Sequence, residues 1–129
     1  MKPEDVIREM YAAFGAKDEA RLHELLAPDI QWNQCPGFPG GARRRGVADE
    51  IAGVLGKNHE LWRGFGISIT ELLPSDQSVV VLGHYHGTHA ETGKPMRADF
   101  AHVYRVEGGQ VTRFDQITDT APMVEAMSA

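Results

Sequence analysis

From residue 67 to residue 118 the chain reads as extended runs joined by tight turns, and no other feature constrains its fold as strongly. The runs cover 67–73, 78–90, 95–106 and 110–118. Between them lie Pro74-Ser75-Asp76, Glu91-Thr92-Gly93-Lys94 and Glu107-Gly108-Gly109, rich in the residues that bend a backbone at low cost. Connections this short leave no room for a crossover, so neighbouring strands are predicted to pair as antiparallel hairpins.

The first half has a different period. Val6, Ile7, Met10, Tyr11 and Phe14 fall on one face of a helix over 3–15, with Pro3 at its start, Glu4 and Asp5 in its first turn and Gly15 at its end. Asp18 is placed to cap a second, shorter helix that buries Leu22, Leu25 and Leu26. Pro28-Asp29 should end that helix and open a strand over 30–34. Cys35-Pro36-Gly37-Phe38-Pro39-Gly40-Gly41 can only be a loop. A third helix is predicted after Gly46, with Val47, Ile51, Val54, Leu55, Leu61 and Trp62 at helical spacing, and a last short one over 122–127. Helices first and a meander afterwards imply an α+β protein, with the sheet curling around the helices and leaving an internal pocket. The 129 residues suit one domain, 1–129.

Charge and composition narrow the partners. A formal net charge of −5 argues against nucleic acid and anionic membranes. The basic run Arg43-Arg44-Arg45 reads as a solvated loop, with a local anion contact as the alternative. Cys35 is the only cysteine, which suits a reducing compartment. No signal peptide or spanning segment is visible, so a cytoplasmic protein is expected. The glycine-rich loop lacks the context of a phosphate or dinucleotide site, and no cofactor is expected.

Three stretches resemble the nuclear transport factor 2-like superfamily, in its SnoaL-like branch of polyketide cyclases and ketosteroid isomerase relatives. They are Tyr11-Ala12-Ala13-Phe14 leading to Trp32, Arg45-Gly46 before the third helix, and 100–111 running on to Asp119-Thr120. The resemblance implies a cone-shaped curved antiparallel sheet wrapped around the N-terminal helices. It also implies a small-molecule ligand and a homodimer formed through the outer sheet face. Carried over by spacing, the isomerase base falls on Gln34, its oxyanion-hole acid on Ala101 and its tyrosine near Met10. Gln34 cannot take a proton at neutral pH and Ala101 cannot donate one, so that mechanism is rejected. The epoxide-hydrolase triad of the same fold falls on Gly83, Tyr85 and Gln116, and is absent too.

A three-residue loop at Glu91-Thr92-Gly93 would set Tyr85 opposite Asp99 and Gly83 opposite Ala101. The implied registration then turns Arg97 and Asp99 into the pocket, with Phe114 and Gln116 from the last strand and Trp32 and Gln34 from the first. Tyr11 and Phe14 join them from the first helix. Asp99 becomes the candidate acid or base and Tyr85 a hydrogen-bond donor. Arg97 would pair with Asp99 or hold an anion, and a rim salt bridge is the competing reading. In the same register His84, His86 and His102 share the opposite, outer face. There they form a polar interface, the alternative being a metal site. A one-residue slip would exchange the faces, and on the last strand it would bring in Asp115. Two functions remain open: a cofactor-free cyclase, isomerase or lyase acting on a small apolar carbonyl compound, and a non-catalytic ligand-binding or dimerisation domain.

Overall fold

The structure is a computed structural model that describes residues 1–49, 51, 58 and 60–129. Among these, three helices lie against a six-stranded, unclosed sheet of order β2-β1-β6-β5-β4-β3. Helix α1 (Pro3–Ala16) passes through Gly15 and stops where Lys17 turns left-handed, at φ 54°. Val6, Ile7 and Met10 lose all contact with solvent on its inner face. Each such side chain contributes roughly 1.5–3 kcal/mol of burial free energy. Helix α2 (Glu19–Leu25) opens under the carboxylate of Asp18, which accepts from the Arg21 N–H at 3.1 Å.

Strand β1 (Leu26–Asn33) begins four residues before the predicted start, because Leu26 and Ala27 are themselves core residues. It pairs in parallel with β6 (Gln110–Thr118), setting Trp32 opposite Phe114. Its other edge is covered by β2 (Arg43–Arg45), which corrects the loop predicted for the basic run. Three charged side chains suit a short edge strand, since they discourage further pairing.

The third predicted helix is described only in part. Residues 48 and 49 are helical, and Ile51 donates its N–H to the Val47 carbonyl at 2.8 Å. Val54 and Leu55 lie outside the described residues. Trp62, placed on that helix by its spacing, instead starts strand β3 (Trp62–Ser75) and packs edge-on against His89. Helix α3 (Ala121–Met127) closes the chain, with Met123 and Ala126 buried.

The meander forms as predicted, with one change of register. Strands β4 (Ser78–His89) and β5 (Pro95–Glu107) are closed by a His89–Lys94 backbone pair, which leaves four residues in the loop, 90–93, not three. The Gly93 N–H bonds back to the His89 carbonyl at 2.9 Å, and His89 in turn donates to Lys94 at 2.9 Å. The Thr92 hydroxyl accepts the Lys94 N–H from inside the turn. The extra residue sets Tyr85 opposite Ala98 and Gly83 opposite Phe100. Because side chains alternate across a sheet, one residue of slip exchanges the two faces of β5. Met96, Ala98, Phe100, His102, Tyr104 and Val106 point inward and are buried. Arg97, Asp99 and Arg105 point outward.

Candidate functional site

A crevice of about 70 Å³ opens between α1 and the inner face of the sheet. Tyr11 and Phe14 reach it from α1, Trp32 and Gln34 from β1 and the residue just beyond it. Tyr85, Phe114 and Gln116 reach it from β4 and β6, so seven of the nine side chains expected at the site converge there. A wider cleft of about 260 Å³ adjoins it and shares Tyr11, Phe14, Phe65 and Ile67 with it.

Arg97 and Asp99 are not in the crevice. Their side chains are 70% and 77% exposed and form an ion pair at 3.7 Å on the outer face. Asp99 therefore cannot serve as acid or base for a ligand held inside. The cause is the one-residue register change in the β4–β5 hairpin. The same change corrects the histidines. His84 lies opposite Asp99 and His86 opposite Arg97, on one outer face with them. His102 lies on the other face, within the crevice lining. Among the described residues no group of three or more His, Cys, Asp or Glu is arranged to hold a metal ion. Asp115 also points away, held by Arg113 at 2.7 Å and Asn33 at 3.0 Å. Partial burial pushes its carboxyl up, but these hydrogen bonds and the charges of Arg113 and Arg43 outweigh that and hold it below the usual value.

His102 is the centre of what the sequence reading missed. Its Nδ1 lies 2.7 Å from the Tyr11 hydroxyl and its Nε2 lies 2.6 Å from that of Tyr85. Tyr11 continues to the Tyr104 hydroxyl at 2.8 Å. Tyr85 continues to the Gln116 amide, whose Nε2 donates to it at 2.9 Å. Gln116 Oε1 accepts the backbone N–H of Cys35 at 3.2 Å. One hydrogen-bonded chain thus crosses four elements and the loop that carries Cys35. Phe100 stacks on the imidazole at a centroid distance of 3.8 Å.

Burial keeps this chain uncharged. Desolvation lowers the His102 pKa to about 3 and pushes the phenols of Tyr11, Tyr85 and Tyr104 above their ordinary value. No Asp, Glu, Lys or Arg is among the described residues lining the crevice. Two lining groups have no partner among the described residues: the indole N–H of Trp32 and the amide oxygen of Gln34. Their residues are only 7% and 8% exposed. A buried donor or acceptor left unpaired costs about 1–3 kcal/mol, so the crevice presents one of each to whatever enters it. Its chemistry is that of neutral donors and acceptors in an aromatic wall.

The positions carried over from the resemblance fall as follows. Gln34 lines the crevice, Ala101 faces outward and Met10 is core. Tyr11, one residue beyond Met10, is the tyrosine of α1 that reaches the site. Gly83 faces inward, and a Cβ there would stand 2.2 Å from the Ser68 carbonyl oxygen.

The family described as the SnoaL-like domain matches residues 7–114. Among solved structures, the chain is similar to a nuclear transport factor 2-like protein from Burkholderia thailandensis, with 34% identity and a TM-score of 0.92 over 100% of this chain and 99% of that one. A nuclear transport factor 2-like protein of unknown function from Burkholderia pseudomallei shows 27% identity and a TM-score of 0.86, with 100% and 99% covered. IdmH from Streptomyces antibioticus, described as a proposed polyketide cyclase, shares the fold at 24% identity and a TM-score of 0.81, each chain covered 100%. No curated protein matches the sequence.

Proposed function

Because this chain belongs to the SnoaL-like domain family, we propose that its crevice binds a small, uncharged, unsaturated molecule carrying oxygen. The observation that carries this reading is the unpaired Trp32 N–H and Gln34 oxygen beside the neutral Tyr11–His102–Tyr85 chain. A ring would lie against Trp32, Phe114 and Phe14, which pack on one another as an aromatic wall. Its oxygen takes the free donor, and a hydroxyl on it reaches the free acceptor. A carboxylate is disfavoured, since it would lose its water and meet no cation among the described lining residues. The inner crevice holds one ring, and the adjoining cleft takes the rest of a longer ligand.

A catalytic version follows from the same groups. The neutral Tyr11 hydroxyl, which lines the crevice, would stabilise the charge that develops on a carbonyl oxygen when the compound enolises, which is the demand of cyclisation and isomerisation. The description of IdmH as a proposed cyclase is in keeping with that version. The carbon-bound proton would leave to water or to a basic group of the substrate itself.

Calorimetric titration tests the binding reading. The protein should bind 1-indanone and discriminate against indane-1-carboxylate of the same ring size. Equal affinity for the two, or preference for the anion, would refute it.

A second copy of the chain is the partner proposed for the outer face. Leu73, Val80 and Val103 align across β3, β4 and β5. Leu82, Ala101 and Ile117 form the next row across β4, β5 and β6. Ile117 is 61% exposed and Leu73 44%. A self-complementary apolar patch of this kind suits a two-fold interface.

A further inference from the structure

The buried chain around His102 has a direction, and that direction is set at its far end. The Cys35 backbone N–H can only donate, so Gln116 must present its oxygen there and its amide nitrogen to Tyr85. The Tyr85 oxygen therefore accepts from Gln116. Its own proton goes to His102 Nε2 at 2.6 Å, the shortest of its hydrogen bonds, since the Thr118 hydroxyl that also adjoins it can donate to the same oxygen. An uncharged imidazole that accepts at Nε2 carries its proton on Nδ1. That N–H then donates to the Tyr11 oxygen at 2.7 Å.

Tyr104 decides the last step. Its hydroxyl is buried, and its contacts are Tyr11 at 2.8 Å and His102 Nδ1 at 3.3 Å. Nδ1 is already a donor, so the only acceptor for the Tyr104 proton among the described residues is the Tyr11 oxygen. Tyr11 thus accepts twice, and its own proton has no acceptor among the described residues. Tyr11 is half-buried and lines both the crevice and the adjoining cleft.

We infer that His102 is held as its Nδ1–H tautomer and acts as a positioning residue, turning the Tyr11 hydroxyl proton outward to meet an acceptor oxygen of the ligand. The inference rests on the crevice being the ligand site and adds to it a polarity. The group that meets Tyr11 is a carbonyl or ether oxygen, not a hydroxyl that must donate. Each hydrogen bond along the chain polarises the next, so the Tyr11 proton is a stronger donor than that of an isolated phenol.

The test has two arms on the full-length protein. Side-chain proton–nitrogen correlation spectra of 15N-histidine-labelled protein, with His102 assigned through His102→Asn, report the tautomer without any ligand. The expected result is a protonated Nδ1 and a bare Nε2; the Nε2–H form overturns the inference. The second arm compares affinity for 1-indanone with that for indane. Tyr11→Phe should lower the preference for the ketone roughly tenfold, the share of one hydrogen bond. His102→Gln should do the same, since its amide sits at the Nε2 position. His102→Asn, whose amide nitrogen replaces Nδ1, should keep most of the preference. A ketone preference unchanged in Tyr11→Phe overturns the inference. If 1-indanone fails to bind at all, the ligand reading fails, while the tautomer spectrum still decides the direction of the chain.

Discussion

Tyr85 pairs across the β4–β5 ladder with Ala98, yet its hydroxyl reaches Nε2 of His102, four residues further along β5, at 2.6 Å. The diagonal contact ties the middle of one strand to the next and fixes both rings against Phe100. The polar centre of the molecule is built on that contact, and its consequences are measurable.

Replacing His102 with Leu takes the acceptor from the buried Tyr85 proton and one of two donors from the half-buried Tyr11 oxygen. One buried group left unpaired costs about 1–3 kcal/mol, so a loss of that order is expected. Urea unfolding monitored by circular dichroism reads it directly. A variant as stable as the parent would show that the chain contributes nothing to the fold.

The depressed pKa of His102 also makes a prediction about pH. Folding holds the ring neutral down to about pH 3, whereas an unfolded histidine takes a proton near pH 6.5. The unfolded state therefore binds more protons between these values. Stability from this group is complete above about pH 6.5 and is lost as pH falls toward 3, by at most about 1.4 kcal/mol per pH unit. The difference in stability between the parent and His102→Asn should shrink over that window. A difference that stays constant with pH would contradict it.

Asp99 and Arg97 should be dispensable for the interior. Their ion pair is open to solvent, where such pairs contribute about 0–1 kcal/mol. Asp99→Asn should leave both the unfolding midpoint and the affinity for 1-indanone within error. Loss of binding in this variant would return the carboxylate to the site.

Gly83→Ala should be far more damaging than its size suggests. Its Cβ would lie 2.2 Å from a backbone oxygen of β3 and 2.9 Å from the Phe100 ring. Backbone cannot yield as a flexible side chain can, so a cost of about 2–3 kcal/mol is expected, read as a lowered Tm. An unchanged Tm would mean that β3 and β4 are further apart than described.

The proposed dimer is tested by Ile117→Glu. A charge placed in the apolar row should shift sedimentation from dimer to monomer while circular dichroism stays unchanged. A parent protein that sediments as a monomer at every concentration would remove this face as an interface.

Most of the fold was legible because hydrophobic period and turn chemistry agreed along the chain. The α1 face, the Asp18 cap and the bounds of β6 followed from local pattern alone. What failed was a count of one residue in the Glu91-Thr92-Gly93 turn, where hydrogen bonds from the Gly93 N–H to His89 and from the Lys94 N–H to the Thr92 hydroxyl create a longer connection than a three-residue loop. Alternation then carried the error through β5, moving Asp99 in and His102 out. A signal against it was present. Met96, Ala98, Phe100, Tyr104 and Val106 form the more apolar of the two alternating sets, and that set includes His102. Weighing the two sets by apolar area, without any assumed loop length, selects the buried face. Trp62 failed for a different reason, since its helical spacing continued past the end of the helix and a buried tryptophan serves equally well at the start of a strand.

The most direct measurement of the central claim uses the two tryptophans of the chain. Neither buried indole N–H has a partner among the described residues, but only Trp32 lines the crevice. In proton–nitrogen spectra recorded during titration with 1-indanone, the Trp32 indole signal should move as its N–H gains an acceptor, and the Trp62 signal should stay in place. If the protein saturates with the ketone while Trp32 stays fixed, or if Trp62 alone responds, the crevice is not where the ligand binds.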